Sequence, residues 1–166
     1  MNLVLIGYRG TGKSTVGKMV ADRLGRSLVS TDAEIMKRAG QSIPEIVAEH
    51  GWDFFRDLES QVCKELAGKD GLVIDTGGGV ILRSQNVEVL KKTGTLFWLT
   101  ATVDTIVQRI GRDTQRPSLT GTKSFVDEIE DVMHERTPKY EAAADHQIAT
   151  DGRSILEISD AILARL

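Results

Sequence analysis

Residues 7–15, Gly-Tyr-Arg-Gly-Thr-Gly-Lys-Ser-Thr, place glycines, a lysine and hydroxyl side chains at a spacing that suits phosphate chemistry. They fit the pattern G-x-x-x-x-G-K-[ST] of a phosphate-binding loop. Glycines leave the backbone N–H groups open to an anion, and the positive end of a following helix dipole adds to this nest. Lys13 would reach the β- and γ-phosphates, and the Ser14 hydroxyl would help to hold Mg²⁺. A glycine-rich turn into an ordinary helix is the alternative, but it does not explain the lysine and serine in register.

Two carboxylates follow apolar runs that resemble buried strands. Asp32 comes after Leu28–Val29 and is either a helix N-cap or a carboxylate that faces the phosphate loop and orients a hydroxyl. Asp75 ends the run Leu72–Ile74, in the place of the acidic element that binds Mg²⁺ in phosphate-loop enzymes. Three consecutive glycines, residues 77–79, come next, and close approach of the backbone to a ligand explains them better than a bare turn.

The arginines allow both structural and functional interpretations. Arg56 stands three residues before Glu59, so spacing alone favours a surface ion pair. Residues 111–124 are polar, have glycine at position 111 and again at 121, and lack periodicity, which indicates either a lid that brings Arg116 to a triphosphate or a solvated loop. Arg136 is either solvated or turned towards the cleft, and Pro138 should kink its helix or begin a new turn. Arg153 suits stacking against a base.

These residues need an alternating framework of strands and helices to bring them together. Apolar runs predict strands at the five positions Leu3–Ile6, Leu28–Val29, Leu72–Ile74, Leu96–Leu99 and Gln147–Ala149. Helical patterns separate them, at Lys13–Leu24, Thr31–Ala39, Ile43–Leu66, Gln85–Lys92, Val103–Ile110, Phe125–Ala144 and Ser154–Leu166. The alternation predicts an α/β fold with a parallel sheet covered by helices on both faces. Ligands of such sheets sit beyond the carboxyl ends of the strands.

The helical stretch from Ile43 to Leu66 carries two local predictions. Gly51 should break it into two helices, because glycine is a poor helix former. A core face is predicted for the apolar side chains that follow at helical spacing, which are Phe54, Phe55, Leu58 and Val62.

Composition narrows the class of protein. The chain has 166 residues, which suits one domain, and its net charge of −3 gives no electrostatic footprint for nucleic acid or an anionic membrane. No apolar run is long enough to span a bilayer, and the first residues lead directly into a strand without a cleavable leader. The only cysteine, Cys63, is expected to be a buried apolar residue, which suits a reduced, cytoplasmic setting. We expect a monomer whose partners are small molecules.

Taken in order, the motifs resemble those of the shikimate kinases, a small family of phosphate-loop enzymes, over essentially the whole chain. The matching segments are Gly7–Thr15, Thr31-Asp32, Phe55-Arg56-x-x-Glu59, residues 75–79, Arg116-Pro117-x-Leu119 and Arg136-x-Pro138-x-Tyr140. The resemblance implies a three-layer α/β/α P-loop kinase fold with a five-stranded parallel sheet. It also implies a single domain over residues 1–166, with a substrate-binding segment at about 32–60 and a lid at about 111–124.

The same resemblance implies transfer of the γ-phosphoryl group of ATP to the 3-hydroxyl of shikimate, a step towards chorismate and the aromatic amino acids. The implied catalytic residues are Lys13, Asp32 and Arg116. ATP would be bound by Gly10, Thr11, Gly12, Lys13, Ser14, Thr15, Arg109, Arg116 and Arg153, with Mg²⁺ held by Ser14 and Asp75. Shikimate would be bound by Asp32, Arg56, Gly78, Gly79 and Arg136, the two arginines holding its carboxylate. Forked cations suit a carboxylate, and a fixed acceptor suits a reacting hydroxyl.

One position departs from the family pattern. The family commonly has Asp-Thr-Asp after the second strand, where the first Asp helps to place Mg²⁺, whereas this chain has Ser30. Our hypothesis is that Asp75, with Ser14 and waters, carries more of that role. Alternatives to shikimate phosphorylation are a gluconate or nucleotide kinase and a nucleotide-binding module without catalysis. An aromatic content of only 5% gives little base-stacking surface for a nucleotide acceptor, and the presence of Lys13, Asp32 and Asp75 argues against lost catalysis.

Overall fold

The computed structural model describes residues 1–110 and 125–166. In these ranges, strands pair into one sheet in the order β2-β3-β1-β4-β5, with every neighbouring pair parallel. The strands are β1 (Asn2–Ile6), β2 (Ser27–Ser30), β3 (Leu72–Asp75), β4 (Gly94–Thr100) and β5 (His146–Ala149). Every strand predicted from the sequence is present, and each is slightly longer than predicted. The five-stranded parallel sheet is therefore confirmed.

The helices of the described residues also follow the predicted pattern. They are α1 (Lys13–Leu24), α2 (Thr31–Ala39), α3 (Ile43–His50), α4 (Trp52–Ala67), α5 (Ser84–Thr93), α6 (Val103–Ile110), α7 (Phe125–Ala143) and α8 (Ile155–Leu163), with a 3-10 turn at Val80–Leu82. Gly51 separates α3 from α4 with a φ of 87°, as predicted. Pro138 was predicted to kink its helix or to begin a new turn; α7 continues through it, so no new turn begins there.

The sheet carries helices on both faces, as the three-layer prediction requires. Alternate residues of β1 point to opposite sides. Leu3 and Leu5 pack with α1 and α8, whereas Val4 and Ile6 pack with α2, α3, α4, α5 and α7. The two edge strands are less buried: Leu28 of β2 is 37% exposed, and Gln147 and Ala149 of β5 are exposed.

Two predictions for α4 had different outcomes. Phe55 and Val62 are fully buried, but the prediction of a core position for Phe54 was wrong. Phe54 is 39% exposed and stacks on the ring of His50 at a centroid distance of 4.2 Å. Cys63 is buried as predicted, and burial raises the pKa of its thiol to about 12, which keeps it protonated at neutral pH.

The parallel arrangement gathers the candidate residues at one edge. The central strand β1 lies between β3 and β4, and Leu5 of β1 is in register with Asp75 of β3. Ser30, at the end of β2, is in register with the same Asp75. The segments that follow β1, β2 and β3 therefore begin next to one another. Among the helices described, none is both long and apolar enough to cross a membrane.

Candidate active site

The loop between β1 and α1 has the backbone geometry of an anion nest. Gly7, Gly10 and Gly12 have φ values of 146°, 82° and 95°, in the region that favours glycine. A Cβ on Gly7 would lie 2.5 Å from the carbonyl oxygen of Leu99, so a larger residue would require the backbone to move. Gly12 is the N-cap of α1 and supplies no side-chain acceptor, so the first N–H groups of this helix are available to a ligand.

Lys13 lies back over this loop and is only 8% exposed. Its Nζ donates to the carbonyl oxygens of Gly7 at 2.7 Å and Tyr8 at 3.1 Å. The Thr11 hydroxyl donates to the same Tyr8 carbonyl at 2.9 Å, which further fixes the loop. The ammonium group is thus positioned by backbone oxygens beside the anion nest.

Ser14 and Asp75 bring two oxygen ligands together beside the loop. The Ser14 hydroxyl donates to Asp75 Oδ2 at 2.7 Å, and Asp75 is 8% exposed. A hydroxyl and a carboxylate are hard oxygen donors, the type that Mg²⁺ prefers. In residues 1–110 and 125–166 no group of three His, Cys, Asp or Glu side chains is arranged to hold a metal ion. A Mg²⁺ ion held here would therefore complete its coordination with phosphate oxygens and waters, which is its usual mode of binding.

The N-cap of α2 is Ser30, which excludes the first of the two alternatives for Asp32. Ser30 Oγ accepts a hydrogen bond from Ala33 N at 3.2 Å. Asp32 lies in the first turn, half-buried, with its Oδ1 only 2.7 Å from the place where a Cβ on Gly77 would lie. The neighbouring Thr31 is fully buried and accepts a hydrogen bond from Gly77 N at 3.0 Å. These contacts bring the Asp32 carboxylate against the glycine turn that follows β3.

Arg56 and Glu59 form an ion pair at 2.9 Å, but the expectation that it lies on the surface was wrong. Their side chains are only 12% and 0% exposed. The Arg56 guanidinium lies 5.2 Å from the ring centroids of Trp52 and Phe55, and it occupies the space that a Cβ on Gly79 would need. Spacing suggested the pair, but only the packing of α4 under the glycine turn buries it.

Arg136 and Tyr140 approach the same turn from α7. They are one helical turn apart, and both are buried. Arg136 Nη1 lies 3.5 Å from the position of a Cβ on Gly78, and the Tyr140 hydroxyl donates to the Gly78 carbonyl oxygen. Burial raises the pKa of Tyr140 to about 12, so it remains a neutral donor.

The glycine run 77–79 thus has a structural reason at each position. Three side chains from different helices close around it, namely Asp32 of α2, Arg56 of α4 and Arg136 of α7. Each of the three glycines has one of these side chains beside the position of its missing Cβ. The Glu59 Oε2 atom also lies 3.0 Å from the position of a Cβ on Gly77, so two guanidinium groups and two carboxylates surround this crowded turn.

A cleft of about 460 Å³ connects the phosphate loop with this junction. Its walls come from the loop, the start of α1, the α2–α3 region and the segment after β3. They are formed by Arg9, Gly10, Gly12, Lys13, Ser14, Thr15, Ser30, Asp32, Met36, Ile43, Asp75, Thr76, Gly77 and Gly78. The phosphate loop and Lys13 line one end of the cleft, and Asp32, Gly77 and Gly78 line the other. The Arg136 and Arg56 guanidinium groups lie next to that second end, beside Gly78 and Gly79.

Arg109 and Arg153 lie on the other side of the phosphate loop. They line a second pocket of about 330 Å³ together with Gly10, Gly12 and Thr15. Arg109 Nη1 donates to the carbonyl oxygen of Gly10 at 3.2 Å, which ties α6 to the loop. Arg116 and the predicted lid at about 111–124 lie outside the described residues.

Three residues that shape the site were not predicted as binding or catalytic residues, although spacing had already paired Glu59 with Arg56. Glu59 holds Arg56, Thr31 holds Gly77, and Arg9 lines the cleft. Tyr140 was also given no role, but its four-residue spacing from Arg136 was a usable signal that the two side chains share one helix face. No comparable signal existed for Thr31 or Arg9, because neither spacing nor periodicity indicates which turn a side chain will meet.

Comparison with known proteins identifies relatives that align along nearly the whole chain. The shikimate kinase from Nitratidesulfovibrio vulgaris is 44% identical over 96% of this chain and 94% of its own length. The structure of shikimate kinase from Acinetobacter baumannii in complex with shikimate superposes with a TM-score of 0.94 at 35% identity, covering 99% of this chain and 91% of that chain. Shikimate kinase from Bacteroides thetaiotaomicron superposes with a TM-score of 0.88 at 27% identity over 100% of this chain and 99% of that one.

A family model described as shikimate kinase matches residues 9–166, which include all but the first residues of the phosphate loop. The match therefore covers the cleft, the glycine turn and both buried arginines. With relatives of this identity aligned along nearly the full length, the chain belongs to the shikimate kinase family.

Proposed function

We propose that this chain transfers the γ-phosphoryl group of ATP to the 3-hydroxyl of shikimate, giving shikimate 3-phosphate and ADP on the route to chorismate and the aromatic amino acids. The observation that carries the proposal is the two-ended cleft. One end holds Lys13 beside an anion nest, and the other closes around the glycine turn with Arg56 and Arg136. This pairing of ends suits a triphosphate donor and a small hydroxylated acid.

At the acceptor end, Arg56 and Arg136 would bind the shikimate carboxylate through their forked N–H groups. Both are buried and lie against Gly79 and Gly78, so backbone N–H groups of the turn are near enough to add contacts. Asp32 would hold the ring hydroxyls and orient the 3-hydroxyl. Such positioning matters because little covalent chemistry is asked of the protein in phosphoryl transfer.

At the donor end, the N–H groups of the loop from Gly10 to Thr15 would bind the phosphates, and Lys13 would balance charge on the transferring group. As the shikimate 3-hydroxyl oxygen bonds to the γ-phosphorus, its proton passes to the Asp32 carboxylate, the bond to the β–γ bridging oxygen breaks, and ADP leaves. Arg116, from the proposed lid, would add a further positive charge at this stage.

Ser14 and Asp75 would hold Mg²⁺, which supplies charge neutralisation to the phosphates when bound. Support comes from the 2.7 Å contact between their oxygens next to Lys13. The adenine would lie in the pocket lined by Arg109 and Arg153, whose planar guanidinium groups suit stacking on a base.

A coupled ADP-release assay with shikimate, gluconate and nucleoside monophosphates tests the activity. Release of ADP with shikimate alone is the expected result. Release with gluconate instead would assign the chain to another small-molecule kinase, and ATP binding without turnover on any acceptor would identify a nucleotide-binding module.

We also propose a single catalytic domain, with a substrate-binding segment at about 32–60 and a lid at about 111–124, that acts as a monomer in the cytoplasm. In support of the first segment, Asp32 and Arg56 both lie against the glycine turn 77–79. A buried, protonated Cys63 thiol is compatible with a reducing compartment. Light scattering after size exclusion should give the mass of one chain, about 18.2 kDa.

A further inference from the structure

Arg9 occupies one of the variable positions of the phosphate-loop pattern, between Gly7 and Gly10, and it lines the central cleft. Its side chain is half-buried, and its Nε is fully buried. That nitrogen makes no hydrogen bond with any residue in the described ranges. A buried donor without an acceptor is costly, which distinguishes Arg9 from a surface arginine that water would satisfy.

The surroundings of Arg9 belong to the acceptor end of the cleft. Its backbone nitrogen lies 3.5 Å from the position of a Cβ on Gly78, the same distance as Arg136 Nη1. The loop and the guanidinium of α7 therefore approach Gly78 together. On the other side of the turn, the Arg56 guanidinium lies beside Gly79.

The carboxylates of Asp32 and Glu59 balance the guanidinium groups of Arg56 and Arg136 around the turn, so a further cation would give the excess of positive charge that favours an anionic acceptor. Arg56 is neutralised in part by its ion pair with Glu59 at 2.9 Å. Arg9 has no carboxylate of a described residue within ion-pair distance. A guanidinium in this position, with a buried donor and no acidic partner among those residues, is matched by an oxygen anion that enters the cleft.

We infer that Arg9 is a third guanidinium of the acid-binding end, and that it contacts the carboxylate of the acceptor and contributes to selection of an anionic substrate. The inference rests on the proposed function. It assigns a binding role to a position that the phosphate-loop pattern leaves variable. Lys13, held at the Gly7 and Tyr8 carbonyls, serves the triphosphate end of the same loop.

Steady-state kinetics of the full chain test this role with Arg9→Met, which keeps the length of the side chain and removes its charge, and with Arg9→Lys. We expect the KM for shikimate to rise about 10-fold or more in Arg9→Met, the loss of one hydrogen bond to a charged group. The KM for ATP and kcat should change less than about twofold, because the lost contact stabilises bound shikimate equally in the ground state and the transition state. Arg9→Lys should recover part of the affinity for shikimate, because lysine keeps the positive charge but lacks the paired N–H donors of the guanidinium group.

Arg165→Met is the matched control. Arg165 follows α8 at the other end of the chain and donates to the Ala161 carbonyl, so its loss removes the same charge far from the cleft. A second readout is shikimate binding without nucleotide, followed by tryptophan fluorescence, because Trp52 lies 5.2 Å from the Arg56 guanidinium. Arg9→Met should weaken this binding by the same factor as it raises KM.

An unchanged KM and binding constant for shikimate in Arg9→Met would overturn the inference. A fall in kcat at saturating shikimate, or a rise in the KM for ATP of equal size, would assign Arg9 to the triphosphate and overturn it too. A variant that fails to fold would show that Arg9 is structural. Failure of the proposed function is seen separately, as a wild-type chain that releases no ADP in response to shikimate.

Discussion

The two ends of the cleft are built in different ways. The triphosphate end comes from one continuous segment, residues 7–15, and its binding groups are mainly backbone N–H groups held by the loop and the start of α1. The acceptor end is assembled from α2, α4, α7 and the turn after β3, which are far apart in the sequence. Its binding groups are mainly side chains that meet at residues 77–79.

This difference decides what each end tolerates. A Cβ on Gly7 would meet the carbonyl oxygen of Leu99 on the neighbouring strand, which cannot move without the sheet. A Cβ on Gly79 would meet the end of the Arg56 side chain, which can rotate away. We therefore expect changes at the first end to damage the fold or the chemistry, and changes at the second end to alter affinity for the acceptor.

The largest effect is expected at the triphosphate end. Lys13→Met should reduce kcat by about 10²–10³-fold, the range for loss of one group that stabilises transition-state charge. The rate of ADP release at saturating ATP and shikimate measures kcat. Lys18→Met on the exposed side of α1 is the matched control, since Lys18 pairs only weakly with Asp22 at 3.4 Å, and its kcat should stay within about twofold. Equal kcat values in the two variants would contradict the role of Lys13.

The oxygen pair beside the loop gives the next largest effect. Asp75→Ala should raise the Mg²⁺ concentration needed for half-maximal activity by about 10-fold or more, as expected for loss of a metal-associated carboxylate. Ser30→Ala should leave this Mg²⁺ requirement nearly unchanged and instead cost about 1 kcal/mol of folding stability, because Ser30 caps α2. Mg²⁺ titrations and thermal melts separate the two; equally small effects on the titration would refute the hypothesis that Asp75 carries the metal role.

At the acceptor end, loss of one arginine should appear in substrate affinity. Arg136→Ala should raise the KM for shikimate by about 10- to 100-fold, the loss of a hydrogen bond to a charged group and of its charge. The KM for ATP should rise much less, because Arg136 reaches Gly78 and not the phosphate loop. Parallel titration of both substrates measures the two constants. A larger rise for ATP would show that the ends of the cleft have been assigned the wrong way round.

A pair of glycine variants tests the contrast directly. Gly7→Ala should lower the free energy of unfolding by about 2–4 kcal/mol, through its positive φ and a backbone clash. Gly79→Ala should leave the melting temperature within a few degrees of wild type and raise the KM for shikimate severalfold, because Arg56 is displaced. Denaturant unfolding and kinetics on the same samples decide the matter. Similar destabilisation by both would mean that the acceptor end is as rigid as the loop.

The smallest effect concerns the support of the glycine turn. Tyr140→Phe removes the donor to the Gly78 carbonyl and should cost about 1–3 kcal/mol. The wild type should also lose stability relative to this variant as pH rises from about 10 to about 12, because burial raises the pKa of Tyr140 in the folded state to about 12, above its usual 10.0. Below pH 10 the stabilisation of the fold by the protonated Tyr140 hydroxyl is fully present. Thermal melts across this range should show the difference between the two proteins shrink.

Much of the fold could be predicted because its signals are local. The strands and helices follow apolar periodicity, and α1 and α2 have the predicted bounds. Errors arose where packing between elements outweighed the local pattern. Phe54 matches the helical spacing of a core residue, yet it is exposed because the face of α4 that enters the core carries Phe55 and Val62. Aspartate is a favoured N-cap residue, but Ser30, two residues before Asp32 at the end of β2, is the residue that caps α2.

The amino-acid sequence by itself determined the triphosphate end, because a backbone nest needs only consecutive residues of the right type between a strand and a helix. Tertiary structure alone decided that Arg56 and Glu59 form a buried pair and that Tyr140 supports the carbonyl of Gly78. It also decided that Arg9 lines the cleft with its Nε buried. The physical reason is that burial and charge are properties of a position in space, and elements separated by up to about a hundred residues must pack before those positions exist.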